Sequence, residues 1–264
     1  MCVIIHKPAG VQIPDVATLW LCWEANPDGA GLSYYRPDRP VVGVQKGYMS
    51  WAEFEKALPA LKPEDDVVLH FRVATSGGVN PEMTHPFIVS TQKNMLRCTK
   101  GVSRFVMAHN GVLGSGKDGL SDTALFVRDK LAPTLSLTRD IEADTVTELM
   151  DVHTTSNRFV LQDGQNHVTR RFGSWHERDG CYFSNTYWAW DYRPSKKGKS
   201  VMLADDCGLV CPVCDGKVKC ISDHWGLYEC QRCGDLTDVS GRGITLIYTD
   251  EVWDDGEGFT WPNS

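Results

Sequence analysis

Cys2 is the second residue of the chain, and its small side chain permits removal of Met1. The product would be an N-terminal cysteine whose α-amine titrates at about 8 and whose thiol titrates at about 8.5. The amine could then take the thiol proton near neutral pH, so one residue would supply both nucleophile and base. Taken alone, a cysteine at position 2 reads more readily as a chance or structural residue than as a catalytic one. A second group lies in His70-Phe71-Arg72-Val73-Ala74-Thr75-Ser76-Gly77-Gly78, where a strand-like run ends in a glycine pair. The Arg72 guanidinium is shaped to grip a carboxylate in a fork, and Thr75 stands at the same edge. Its alternative is an ordinary surface salt bridge. In Ala108-His109-Asn110-Gly111, Asn-Gly could be a hairpin turn, or could offer a side-chain amide and a backbone N–H to an oxyanion. In Ser121-Asp122-Thr123, Asp122 reads as a helix cap or as a carboxylate facing an ammonium group.

These residues need elements to hold them. The β-branched run Cys2-Val3-Ile4-Ile5 predicts a buried strand at the start of the chain. Val16, Leu19, Trp20 and Trp23 recur at helical spacing until Asn26-Pro27-Asp28-Gly29 turns the chain toward a strand over Gly31 to Tyr35. Ser50-Trp51-Ala52-Glu53 has the form of a capping box opening a second helix. Strands are expected at Val67 to Ala74 and Phe105 to His109, and a helix over Thr123 to Leu131 that Pro133 ends. A further helix is expected over Asp144 to Val152, then strands at Arg158 to Gln162, Val168 to Phe172 and Cys181 to Tyr187, separated by Asp-Gly turns. Strands and helices arriving in groups point to a layered α+β fold.

The 264 residues are 42% hydrophobic and 23% charged, which suits a globular protein with an ample core. A net charge of −7 argues against binding duplex nucleic acid by neutralising phosphates. The basic cluster Arg193 to Lys199 contains Pro and Gly and reads as a linker. Neither a membrane span nor a signal peptide is expected, which places the protein in the cytoplasm.

Cys211-Pro212-Val213-Cys214 and Cys230-Gln231-Arg232-Cys233 are separated by fifteen residues, close to the spacing of a four-cysteine zinc site. The segment resembles a zinc ribbon. Four thiolates close a tetrahedral shell and leave no position for substrate, so the expected zinc is structural. Cys207, Cys220 and His224 stand near as alternative ligands. Cys22, Cys98 and Cys181 read as core cysteines.

The order of these motifs, Met-Cys at the start, His-x-Arg-x-Ala-Thr-x-Gly near 70, His-Asn-Gly near 110 and Ser-Asp-Thr near 120, resembles the glutaminase domain of class II glutamine amidotransferases. The likeness covers about Met1 to Trp188. Asn26 to Leu32, Arg158 to Leu161 and Tyr182 to Thr186 also look like segments of small stand-alone members. The resemblance implies an αββα Ntn-hydrolase sandwich over residues 2–190, while the change of composition after Trp190 and the Cys-bearing stretch from Cys207 mark a linker over 191–206 and the zinc-ribbon-like segment over 207–264. It implies Cys2 as nucleophile, Asn110 and Gly111 as oxyanion hole, Arg72 and Asp122 as clamps for the substrate's backbone groups, and Thr75 in the pocket wall. The implied activity is release of ammonia from the glutamine side chain through a Cys2 thioester, for a separate acceptor enzyme, since the residues after Trp188 are too few for a synthase. Two other readings are hydrolysis of a different amide and a catalytically silent binding module. His70, His85 and His109 share no ligand spacing and read as supporting residues.

Overall fold

The computed structural model describes residues 2–74 and 78–190, and beyond them the strands Val218–Ser222, Leu227–Cys230, Leu236–Thr237 and Gly243–Ile244. Its contacts divide the chain into two units, Met1–Asp191 and Tyr192–Ser264. Among the described residues, no helix is long and apolar enough to cross a membrane.

The first unit begins with β1 (Val3–Lys7), α1 (Val16–Ala25), β2 (Ala30–Tyr35), β3 (Val42–Tyr48), α2 (Trp51–Glu55) and β4 (Asp66–Phe71). It continues with β5 (Phe87–Ile88), α3 (Lys93–Arg97), β6 (Lys100–Ser103) and β7 (Phe105–Asn110). After the helical segments α4 (Asp122–Phe126), α5 (Ala132–Thr138) and α6 (Asp144–Asp151) come β8 (Arg158–Asp163), β9 (Val168–Phe172), β10 (His176–Arg178), β11 (Cys181–Phe183) and α7 (Tyr187–Trp190). The strands form a seven-stranded sheet, β10-β11-β1-β4-β2-β3-β6, and a four-stranded sheet, β5-β7-β8-β9. All the pairings are antiparallel.

Every residue of β1 is buried; the apolar run predicts this for Val3 to Ile5, and His6 and Lys7 are buried as well. Val3 and Ile5 pair with Phe71 and Leu69 on one face, while Ile4 and His6 pair with His70 and Val68 on the other. On the first face Phe71 meets Phe54 edge-on at 5.0 Å, and Phe183 lies 5.2 Å from Trp188. On the second, Ile4 and Val68 join Ala108 and Val160 of the smaller sheet in one apolar cluster, and Val44 joins Ile88 and Val106 in another. The two sheets therefore face one another. Each such valine, isoleucine or phenylalanine side chain contributes about 1.5–3 kcal/mol by leaving water. The opposite face of the smaller sheet presents Phe87, Met107, Phe159 and Leu161 to Ala124, Val127, Leu135, Val146 and Met150 of the helical segments.

Local signals explain most ends. Asp15 caps α1 by accepting from Thr18 N. Ser50 Oγ accepts from Glu53 N, and Glu53 reaches back to the amide of Met49. At Asp179-Gly180, both residues have positive φ, and the turn closes the hairpin between β10 and β11. One expectation fails: Pro133 does not end its helix. Between α4 and α5 the chain makes a wide turn over Val127–Leu131, where Ala132 N–H bonds to Val127 O. That widening takes up the ring and the missing amide of Pro133, and the helix stops instead at left-handed Arg139.

In the second unit, β12 (Val218–Ser222), β13 (Leu227–Cys230), β14 (Leu236–Thr237) and β15 (Gly243–Ile244) form an antiparallel sheet in that order. Val218 lies opposite Cys230.

Candidate active site

β1 and β4 run side by side, so the start of β1 meets the end of β4. Cys2 stands just before β1, with its Sγ 3.3 Å from both the amide and the carbonyl of Val73. The Val73 N–H donates to sulfur. Asn185 Nδ2 donates to the Cys2 carbonyl at 2.7 Å and holds its backbone. Burial pushes the Cys2 thiol up, opposed by the Val73 bond and by the Arg72 charge. A thiol so placed needs a base beside it to become a thiolate at neutral pH.

Arg72 follows β4 and is fixed through its backbone. Its amide donates to Gly29 O at 2.8 Å and its carbonyl accepts from Asp28 N at 2.9 Å, tying it to the Asn26-Pro27-Asp28-Gly29 turn. Its Nη1 donates to Gly78 O at 2.8 Å. The side chain is buried, which works against its charge, and Cys2, Asp28 and Asp122 lie close enough to favour it. Asp28 also accepts from Ala74 N at 2.8 Å, which stiffens the chain after Arg72.

Successive residues of β7 point to opposite faces. Asn110 faces the larger sheet, where its Nδ2 donates to Ser184 Oγ at 3.0 Å. That same oxygen accepts from Ile4 N at 2.9 Å, so Ser184 fastens Asn110 to β1. An amide nitrogen carries two hydrogens, and Ser184 takes one. Gly111 follows with φ of 144°, a region that suits glycine. A Cβ there would lie 2.0 Å from Asn157 Oδ1, so no larger residue fits without displacement. The Asn-Gly pair is not a hairpin turn, because β7 pairs with β5 and β8 and the chain runs on through a loop to α4.

Ser121, not Asp122, is the side-chain cap of α4; its Oγ accepts from Ala124 N at 3.2 Å. Asp122 Oδ2 accepts from Leu113 N at 2.8 Å and so closes the loop that starts at Gly111. His109 faces the helices, between Thr123 and Asn157. His70 Nε2 donates to His109 O at 3.2 Å and lies 2.9 Å from His85 Nδ1. Burial holds these imidazoles neutral: His70 is pushed down to about 3, His109 to about 4, and His85 well below its usual value.

The structure thus gathers Cys2, Arg72, Asn110, Gly111 and Asp122 at the β1–β4 end of the two sheets. Thr75 lies outside the described residues, as do Cys211, Cys214 and Cys233, and of Cys230 only its place at the end of β13 is described. Among the described residues, no group of three or more His, Cys, Asp or Glu is placed to hold a metal ion. Asp28, Asn157, Ser184 and Asn185 carry no site role in the sequence reading. Asp28 there belongs to a turn, and only contacts between distant segments reveal what the others hold.

No family model matches the chain, and no curated protein matches it. Among solved structures, it is similar to the glutamine phosphoribosylpyrophosphate amidotransferase from B. subtilis complexed with ADP and GMP, with a TM-score of 0.42 and 16% sequence identity. That match covers 69% of this chain and 41% of the other, so the chain spans about two fifths of that enzyme's length.

Proposed function

We propose that the chain is a glutamine amidohydrolase of the class II amidotransferase type, with Cys2 as nucleophile after removal of Met1. The observation that carries this reading is the seating of Cys2 Sγ on the Val73 backbone beside a buried Arg72 that also senses Asp28 and Asp122. A thiol, a cation and carboxylates at one point suit a substrate with a carboxylate, an ammonium and a reactive carbonyl. Arg72 grips the α-carboxylate and Asp122 the α-ammonium, with Thr75 in the pocket wall.

The chemistry follows from these placements. The Cys2 α-amine takes the thiol proton, and the thiolate attacks the side-chain carbonyl carbon of glutamine. Negative charge on the carbonyl oxygen is met by Asn110 Nδ2 and the Gly111 N–H. Collapse breaks the carbon–nitrogen bond, the α-ammonium returns its proton to the leaving nitrogen, and ammonia departs. Water attacks the thioester with the amine again as base, and glutamate leaves. The ammonia serves a separate acceptor enzyme.

The two facing sheets with helices outside them fit an αββα sandwich over residues 2–190, followed by a 191–206 linker. For 207–264 we propose a structural zinc held by Cys211, Cys214, Cys230 and Cys233. The opposition of Val218 to Cys230 supports this, because Cys214 precedes Val218 by only four residues. Zinc there would organise the segment by joining its thiolates and would take no part in amide cleavage.

A panel of primary amides tests the substrate assignment. Glutamine should be turned over while amides lacking either the α-carboxylate or the α-ammonium are not. Equal turnover of a simple fatty amide would contradict the roles of Arg72 and Asp122.

A further inference from the structure

His109 belongs to no step of the proposed chemistry, yet its ring touches both halves of the site from behind. Asn157 Nδ2 donates to His153 O at 2.8 Å, which fixes its carboxamide with Oδ1 toward His109. His109 Nε2 lies 2.8 Å from that Oδ1 and must donate to it. The neutral ring then accepts at Nδ1 from Thr123 Oγ1, also at 2.8 Å. The tautomer is therefore set by its partners. Phe159 stacks on the ring at 4.6 Å and keeps it in plane.

We infer that His109 is a positioning residue that locks the oxyanion donor Gly111 through Asn157 and the ammonium-binding Asp122 through Thr123. The Asn157 carboxamide oxygen lies 2.0 Å from where a Gly111 Cβ would be, so it fills the space beside the backbone whose N–H meets the oxyanion. Thr123 follows Asp122 in the first turn of α4, and Asp122 in turn holds Leu113 N–H of the Gly111 loop. One imidazole thus closes a ring of contacts: His109, Asn157, Gly111, the loop to Leu113, Asp122, Thr123 and back. The consecutive residues His109, Asn110 and Gly111 divide the work. Asn110 faces the substrate side, Gly111 makes the turn, and His109 anchors the turn from the helical side.

This inference rests on the amidohydrolase reading, and two variants divide its limbs. Asn157→Ala frees Gly111 but spares the Thr123 bond. It should lower kcat about 10- to 100-fold with KM nearly unchanged, as a donor misplaced only in the transition state does. Thr123→Val keeps shape but loses the hydroxyl that steadies Asp122. It should raise KM for glutamine about 2- to 10-fold with kcat nearly unchanged, and Thr123→Ser should restore KM. All turnover is expressed per folded molecule, so a variant that merely loses stability gives wild-type constants and overturns the lock. A separate readout needs no activity. Nitrogen-15 NMR of the whole protein should find His109 neutral at pH 7 with its proton on Nε2. A proton on Nδ1 or a charged ring refutes the lock whatever the substrate. A wild type silent toward glutamine, with the tautomer as expected, refutes the amidohydrolase reading instead.

Discussion

Acid should destabilise the first unit well before its carboxylates are protonated, because the histidines under the site are buried neutral. In the unfolded chain each regains a pKa near 6.5, whereas in the fold His70 stays at about 3 and His109 at about 4, with burial as the leading cause in both. A depressed folded pKa means the unfolded chain binds more protons, so stability is fully present above about pH 6.5 and falls as pH drops toward the folded values. At pH 5 the unfolded chain gains about 2 kcal/mol per histidine, or roughly 4 kcal/mol for these two. His85, pushed down by burial and by His70 and His109, adds in the same direction. Against a whole-domain stability of about 5–15 kcal/mol this is a large fraction. Urea unfolding at pH 7.5 and 5.0 reads it, followed by hydrogen exchange of peptides from β4 and β7 so that only this unit is monitored. With a slope of about 2 kcal/mol per molar urea, the midpoint should fall by roughly 2 M. His109→Phe should flatten that fall by about one histidine's share. A midpoint that moves by less than about 0.5 M would mean that the buried imidazoles take up protons without cost, and the reasoning fails.

Other expectations can be checked separately. Intact mass should give a chain starting at Cys2; a chain fully retaining Met1 that still cleaves glutamine would remove the α-amine as base. Cys2→Ser should abolish turnover with glutamine while leaving the melting temperature nearly unchanged. Asn110→Ala should lower kcat about 10²- to 10³-fold if its amide meets an oxyanion; a lower melting temperature with unchanged turnover per folded molecule would leave it only the role of fastening β7 to Ser184. Metal analysis should give about one zinc per chain, and chelation should open residues 191–264 to proteolysis while glutaminase activity survives. Loss of activity with the metal, the first unit remaining folded, would show that the two units do not work independently.

Elements that rest on local chemistry were legible in the sequence. The apolar run at Val3-Ile4-Ile5 became the buried β1, and Ser50 with Glu53 formed its cap. Residues that depend on distant partners were not. β3 (Val42–Tyr48) contains Gly43, Gly47 and Lys46, a poor strand by composition, and it is held by β2 and β6 on either side. Lys46 belongs to a residue type that is mostly exposed, yet it is buried, donating to Leu96 O at 2.9 Å with its ammonium 3.8 Å over the Phe87 ring. Pro133 read as a stop because the sequence carries no sign of the wide turn that admits it. Within the site, Asn110 and Gly111 stood out as a pair, whereas Asn157 is adjacent to Gly111 only through the fold. Likewise the bond from Asn185 to the Cys2 carbonyl spans nearly the whole first unit, and no spacing rule foretells it.

The central claim is that Cys2 cleaves the side-chain amide of glutamine, and the most direct test is the stoichiometry of products. Purified protein incubated with glutamine should release glutamate and ammonia in equal amounts, and Cys2→Ala, folded to the same melting temperature, should release neither. Equal release by the Cys2→Ala protein, or none by wild-type protein shown by mass to begin at Cys2, would contradict the account.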